Sequence, residues 1–207
     1  MSRLAWQGVA LFGFIPLVLY LYLRQPLGPG ASLVLGLALM FGHRFIAAPW
    51  MARHATERCL WCGRSGNPPM RFEVRASGRP WTLAACGSAH RDCAARFLSF
   101  VARFRIAIGL GIFVPLLLLL VGTAALAFGL PLLALEWNRL QFRLVVAATV
   151  VGTSVGYRFS QVQRPLSCPF PLHNLFLLGV RNTLWVFRLV GIWWLVTGLV
   201  SLVSGGR

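Results

Sequence analysis

From Ile106 to Leu135 the chain runs 30 residues without a single ionisable side chain. A helix crosses the hydrocarbon core of a bilayer with about 20 apolar residues. The run is therefore long for one span and short for a two-helix hairpin. Pro115 predicts a kink within it, and Gly129-Leu130-Pro131 predicts its end. Four further apolar stretches of similar kind follow the same logic. Leu4 to Leu23 carries Trp6 and Tyr22 near its ends, where interfacial aromatics belong. Ala31 to Trp50 carries His43 and Arg44 close to its end, and Leu140 to Phe159 is a weaker span with Arg143 near one end. Asn174 to Val203 contains Arg181 and Arg188. It reads either as an interfacial helix leading into a span or as one tilted span with snorkelling arginines. The expected fold class is mostly α: a polytopic helical membrane protein of about five spans. Composition agrees, since 57% of the 207 residues are hydrophobic and only 12% are charged, about half the share of an ordinary soluble domain. The first apolar run exceeds the roughly 7–15 residues of a signal-peptide core, and no small-x-small cleavage site follows it, so it reads as a first membrane helix.

Between the second and third stretches the character changes. Met51 to Arg105 holds ten arginines, three acids and four cysteines. The expected organisation is thus two spans in 1–50, a polar module in 51–105 and three spans in 106–207. No internal repeat relates the two sets of spans. The net charge of +16 resembles a nucleic-acid footprint, but its placement argues against one. With the polar module on the cytoplasmic side, sixteen arginines fall on or near the inside and four (Arg24, Arg139, Arg143, Arg207) fall outside. That is the bias of the positive-inside rule, and it explains the charge by topology. All 20 basic residues are arginine, which the codon usage of a GC-rich genome accounts for. The expectation is a multi-pass protein of a bacterial inner membrane, with N-terminus and polar module cytoplasmic and C-terminus periplasmic.

The polar module carries the one specific chemical signal. Cys59-Leu60-Trp61-Cys62-Gly63 is a Cys-x2-Cys-Gly turn, in which the glycine relieves the tight bend and lets two thiolates face one ion. Phe72 and Val74 alternate with polar neighbours as in a strand, Ser77-Gly78 is a hairpin signal, and Trp81 to Ala85 is the return strand. From Cys86 the pattern is helical, so Cys86 and His90, four apart, share one face. Cys59, Cys62, Cys86 and His90 form a closed Cys3His set. Such a set suits one structural zinc ion and leaves no catalytic position open. A scaffold of about 50 residues also needs such a staple, because its apolar core is small. Cys93, two turns beyond Cys86, is an alternative ligand to His90, and a redox dithiol at Cys59 and Cys62 is a further reading. The latter needs a helix starting at the pair, whereas Gly63 to Pro69 reads as loop.

This arrangement resembles treble-clef zinc fingers, in particular the TRASH/MYM/YHS-like group. There a Cys-x2-Cys knuckle is followed by an aromatic-rich strand and then Cys-x3-Cys or Cys-x3-His. The matching residues are Cys59, Cys62, Cys86 and His90, with Phe97 as the packing aromatic. Ala85 stands where those fingers often carry an aromatic residue. The resemblance covers about 40 residues and none of the spans. It implies metal binding, with roles in metal sensing, metal trafficking or protein contacts, and hence a cytosolic protein partner.

Elsewhere the sequence offers less. Arg181 and Arg188, seven apart, share a helical face with Trp185 between them, which suits snorkelling or contact with a lipid phosphate or other anion. Cys168 and His173 are two soft ligands without neighbours of their kind. The four acids, Glu57, Glu73, Asp92 and Glu136, all lie outside the spans. The chain shows no nucleotide-binding glycine loop and no Ser-His-Asp set. These features favour a non-enzymatic metal-sensing, trafficking or interaction component. A small transporter or channel component with the finger as a clip is the alternative, and a membrane enzyme acting on lipid head groups the next. Membrane lipids are expected partners, and the many Gly and Ala residues in the spans suit self-association.

Overall fold

In a computed structural model the described residues are 17, 20, 27–42, 45–46, 57–76, 79–130, 135–169 and 179–204. Most of the expected first span, residues 43–44 and 47–50 of the second, the Ser77-Gly78 turn and His173 lie outside them.

Among the described residues, three helices are long and apolar enough to cross a membrane: 105–127, 137–159 and 180–204. The described part of the second apolar stretch is the shorter helix α1 (Pro29–Gly42). It opens on a proline, whose missing N–H is one that a first helical turn leaves unused anyway. Then come β1 (Met70–Ala76), β2 (Arg79–Ala85), α2 (Ser88–Arg103) and α3 (Arg105–Ala127). After these follow α4 (Leu135–Gly156), a 3-10 turn (Tyr157–Phe159), the short strand β3 (Ser167–Cys168) and α5 (Val180–Ser204). Only Phe104 separates α2 from α3, and backbone hydrogen bonds run across it from Phe104 to Phe100 and from Ile108 to Phe104. The polar module therefore passes into the longest apolar run almost as one helix. That run continues through the buried Pro115 and closes at Gly129, where Leu130 N–H reaches back to the Ala125 carbonyl. The last apolar stretch, from Val180 on, is a single uninterrupted helix.

Small residues set how the long helices meet. Gly111 lies against Thr149, Gly191 against Val150 and Val151, and Gly198 against Leu144. Asn138 Nδ2 donates to the Leu118 carbonyl at 3.4 Å. These pairings run in opposite directions along α3 and α4, and again along α4 and α5, so consecutive helices are antiparallel. Gly30, at the start of α1, lies against Ala127 at the end of α3, which makes α1 antiparallel to α3. Absent a bulky side chain, two backbones approach closely and gain dispersion contact, which matters most where no hydrophobic effect drives helices together. Leu119, Phe142 and Val146 are the buried centre of this bundle, with Phe142 packed on Trp194 at 5.8 Å between ring centroids. Its outer faces are apolar. On α3, Ile106, Leu110, Phe113, Leu117 and Val121 all stand exposed at helical spacing along one stripe.

The polar module sits at the end of the bundle where α3 begins, α4 ends and α5 begins. β1 and β2 form an antiparallel hairpin in the expected register, with Phe72 opposite Leu83 and Ala76 opposite Arg79. Val74 and Ala76 point inward while Arg71, Glu73 and Arg75 face out, the alternation of a half-buried strand. Ala94, Phe97, Leu98 and Val101 form the buried stripe of α2. The segment after α4 returns to the sheet: β3 pairs parallel with Arg75 and Ala76 and gives the order β2-β1-β3. Gln163 N–H donating to Ser99 Oγ at 2.9 Å fixes the same segment to α2. One continuous core contains Leu60, Val74, Leu83, Phe97 and Leu98 from the module together with Ile108, Tyr157, Val180 and Leu184 from the long helices.

Candidate metal centre

Two local structures bring the four ligand residues together. The first is the 59–63 turn. Gly63 N–H bonds the Cys59 carbonyl at 2.8 Å, and Gly63 has φ +72°, a conformation that a side chain disfavours and that the sequence anticipated. The second is the start of α2. Cys86 ends the return strand region and His90 lies in the first turn of the helix, so both face the knuckle. A parallel bridge between Cys59 and Ala84, with Leu60 N–H bonding the Ala84 carbonyl at 2.8 Å, holds the two structures side by side.

The resulting geometry fits one ion. Cys59 Sγ lies 3.6 Å from His90 Nδ1, and Cys62 Sγ lies 3.7 Å from Cys86 Sγ. All four ligand atoms fall within 4.8 Å of one another. A tetrahedral centre with bonds of ~2.3 Å to sulfur and ~2.05 Å to nitrogen spaces its ligands by ~3.8 Å for sulfur pairs and ~3.6 Å for a sulfur–nitrogen pair. Two of the six edges of such a tetrahedron are thus present at the expected length. Cys93 is not in this group; it packs against the core. His90, not Cys93, is the fourth member among the described residues.

The thiols differ in proton affinity. Burial works to raise the Cys59 pKa, but the backbone N–H groups of Cys62, Cys86 and Trp61, with the Cys86 thiol, outweigh it and bring it down to about 7. The Cys86 N–H donor stands 3.4 Å from Cys59 Sγ. Cys86 is pushed up to about 12, first by burial, then by hydrogen bonds to Cys59 and Cys62 and by their negative charge. Thiolates crowded this closely repel one another, and a divalent cation removes that repulsion. No disulfide joins any of the five cysteines. The residues after Cys62 form turns and loop, without the helix that a redox dithiol of the expected kind requires.

The centre's knuckle is also where the module meets the long helices, which no local pattern in the sequence signalled. Trp61, between the two knuckle cysteines, is buried and packs on Tyr157 at 5.7 Å between centroids. Tyr157 in turn stands edge-on to Phe97 at 6.1 Å. The first amides of α5 are spent on the same turn: Val180 N–H bonds the Leu60 carbonyl at 2.8 Å and Arg181 N–H the Trp61 carbonyl at 2.9 Å. Asn182 Nδ2 reaches the Cys62 carbonyl at 3.5 Å. Gly179, at φ +77°, touches the knuckle backbone so closely that a Cβ there would stand 2.3 Å from the Gly63 nitrogen. Cys168, which the sequence left without a ligand neighbour, is a buried member of the shared core.

Arg181 and Arg188 both line a cavity of about 290 Å3 beside the knuckle, and Arg158 joins them there. Comparisons with known protein families, with characterised proteins and with solved structures found no match. Fold and site together define a helical bundle capped at one end by a Cys3His module able to hold a metal ion.

Proposed function

We propose that the chain is a multi-pass membrane protein whose module holds one structural zinc ion on Cys59, Cys62, Cys86 and His90. The ion clips the knuckle to the start of α2, and the knuckle in turn bonds the head of the last long helix. The spacing of the four ligand atoms, 3.6 and 3.7 Å across two edges of a tetrahedron, carries this reading. Zinc is the ion that three thiolates and an imidazole favour, and a full protein ligand set leaves no position for substrate. Bound there, zinc would supply a fixed crosslink between knuckle and helix. The order of knuckle, hairpin and helix is that of a treble clef, the TRASH/MYM/YHS-like resemblance of the sequence. The role that follows is non-enzymatic: a component whose cytosolic face senses or passes on metal, or docks a protein partner.

The bonds from α5 to Leu60 and Trp61 give the clip reading a specific support, since metal on the knuckle would set where that helix begins. This is also what a small transporter or channel component would use to couple a cytosolic signal to its bundle. The exposed apolar stripe on α3 and the three long helices support the membrane setting, with the arginine-rich module in the cytoplasm. Metal content of the detergent-purified chain, measured beside a Cys59→Ser/Cys62→Ser variant, tests the reading. About one zinc per wild-type chain and none in the variant is expected. Wild-type protein that takes up no metal would overturn it.

A further inference from the structure

The cavity beside the knuckle has a chemistry that neither the metal centre nor helix packing uses. Three arginines line it: Arg158 from the turn that ends α4, and Arg181 and Arg188 from the first turns of α5. Trp61, Tyr157, Leu184 and Trp185 supply the rest of its wall. No Asp or Glu is among the residues that line the cavity, so no carboxylate in its wall balances the three charges. Arg188 is held in place: its Nε donates to Ser154 Oγ at 3.3 Å, its Nη2 donates to the Ser154 carbonyl, and its guanidinium lies over Trp185 at 5.1 Å. Arg158 and Arg181 are exposed at the rim. The leading amides of α5 bond the knuckle and are not free for a ligand, so recognition falls to the side chains.

Three like charges around one small space repel each other, and the repulsion is strongest where apolar walls lower the dielectric. An anion with several acceptor oxygens removes it, and guanidinium forks match phosphate oxygens better than any other common group. We propose that this cavity binds the phosphate of a phosphate ester, with Arg188 as the pre-oriented anchor and Arg158 and Arg181 closing over it. The volume, at the small end of ligand pockets, admits a phosphate and a short polar head and excludes a long hydrocarbon tail. A tail has an exit. Below Trp185 the same face of α5 presents Leu189, Ile192, Val196 and Leu199, all exposed at the spacing of one helical stripe. An anionic lipid with its phosphate among the arginines and its chains along this stripe satisfies both features. The lipid source rests on the membrane reading; phosphate recognition does not.

The full chain in detergent, titrated by native mass spectrometry with short-chain phosphatidylglycerol, phosphatidylcholine and inorganic phosphate, tests this. Wild type is expected to bind phosphatidylglycerol at least tenfold more tightly than phosphatidylcholine. Arg158→Gln/Arg181→Gln should lose that preference, and Arg181→Lys should keep part of it. Arg71→Gln/Arg75→Gln, which removes two exposed charges from β1, should leave it intact. Inorganic phosphate that competes at equal concentration identifies a soluble phosphate as the source; failure to compete identifies the lipid. Equal binding by wild type and the Arg158/Arg181 variant, or an equal loss in the Arg71/Arg75 variant, would overturn the site in favour of a diffuse charge effect.

Discussion

The backbone N–H of Arg181 donates to the carbonyl of Trp61 at 2.9 Å, and through that bond the head of the last long helix rests on the turn between Cys59 and Cys62 of the candidate metal centre. Trp61 faces both ways. Its carbonyl receives α5, its ring packs on Tyr157 at the end of α4, and its neighbours Cys59 and Cys62 reach the metal position. A metal ion in the centre would hold the turn, and with it the entry of α5 and the Trp61 wall of the arginine cavity.

If the metal is the crosslink between knuckle and helix α2, stripping it should loosen the whole module end of the bundle and not only the knuckle. Chelator treatment of the purified chain should lower its midpoint of thermal unfolding, and added zinc should restore it. His90→Ala should bind zinc more weakly, because it opens one corner of the tetrahedron. Cys93→Ser should retain one zinc per chain, since Cys93 lies outside the four-residue group. A Cys93→Ser protein purified without metal would reassign the fourth ligand.

Gly179 carries a sharper prediction. Its φ is +77°, and a Cβ would stand 2.3 Å from backbone nitrogen of Gly63, which cannot rotate away. Gly179→Ala should therefore cost roughly 2–6 kcal/mol, the sum of a left-handed non-glycine residue and overpacking. The loss should appear as a lower unfolding midpoint together with faster zinc release to a chelator. Unchanged zinc release with the same midpoint would show that α5 does not bear on the knuckle.

Trp61→Ala should destabilise by about 3–5 kcal/mol, the usual range for truncating a large buried aromatic, since its ring packs on Tyr157 in the shared core. Trp61→Phe should retain most of that packing. Unfolding midpoints of the two variants in the same detergent separate these outcomes. Equal values for both would mean that the Tyr157 contact contributes little.

What the sequence disclosed is what is local. The Cys-x2-Cys-Gly turn and the paired strands of the hairpin are written in short spacings and alternations, and the structure has both. Cys86 and His90 do come together, but the helix begins only at Ser88, so Cys86 reaches the group from the end of the strand and not from a shared helical face. The long apolar runs are legible for the same reason, because helix length and apolarity are counted along the chain. The features that assemble the site are closures between distant segments, and no periodicity announces them. Ser167 and Cys168 pair with β1 through two residues only, too few for a strand pattern. Arg158 reads as one more charge beside the bilayer until the fold brings it to Arg181 and Arg188. Gly179 is one of three glycines in the last apolar stretch, and nothing in its local pattern marks it as the one whose backbone touches the knuckle.

The two unlike thiols give metal binding a defined dependence on pH. A ligand must lose its proton before it binds, so each thiol still protonated in the metal-free protein releases one proton on loading. Cys86, pushed up to about 12, remains protonated throughout the neutral range and makes affinity rise with pH across all of it. Cys59, at about 7, is protonated below that pH and already ionised above it. It adds to the pH dependence on the acid side and stops doing so on the alkaline side. The sign is the same for both: affinity falls as acid is added, and acid releases the ion. The slope of log affinity against pH should drop by about one as pH passes upward through about 7. Competition with a chromophoric chelator from pH 6 to 8.5 measures it. A slope that stays constant through that window would mean that Cys59 does not ionise ahead of its neighbours.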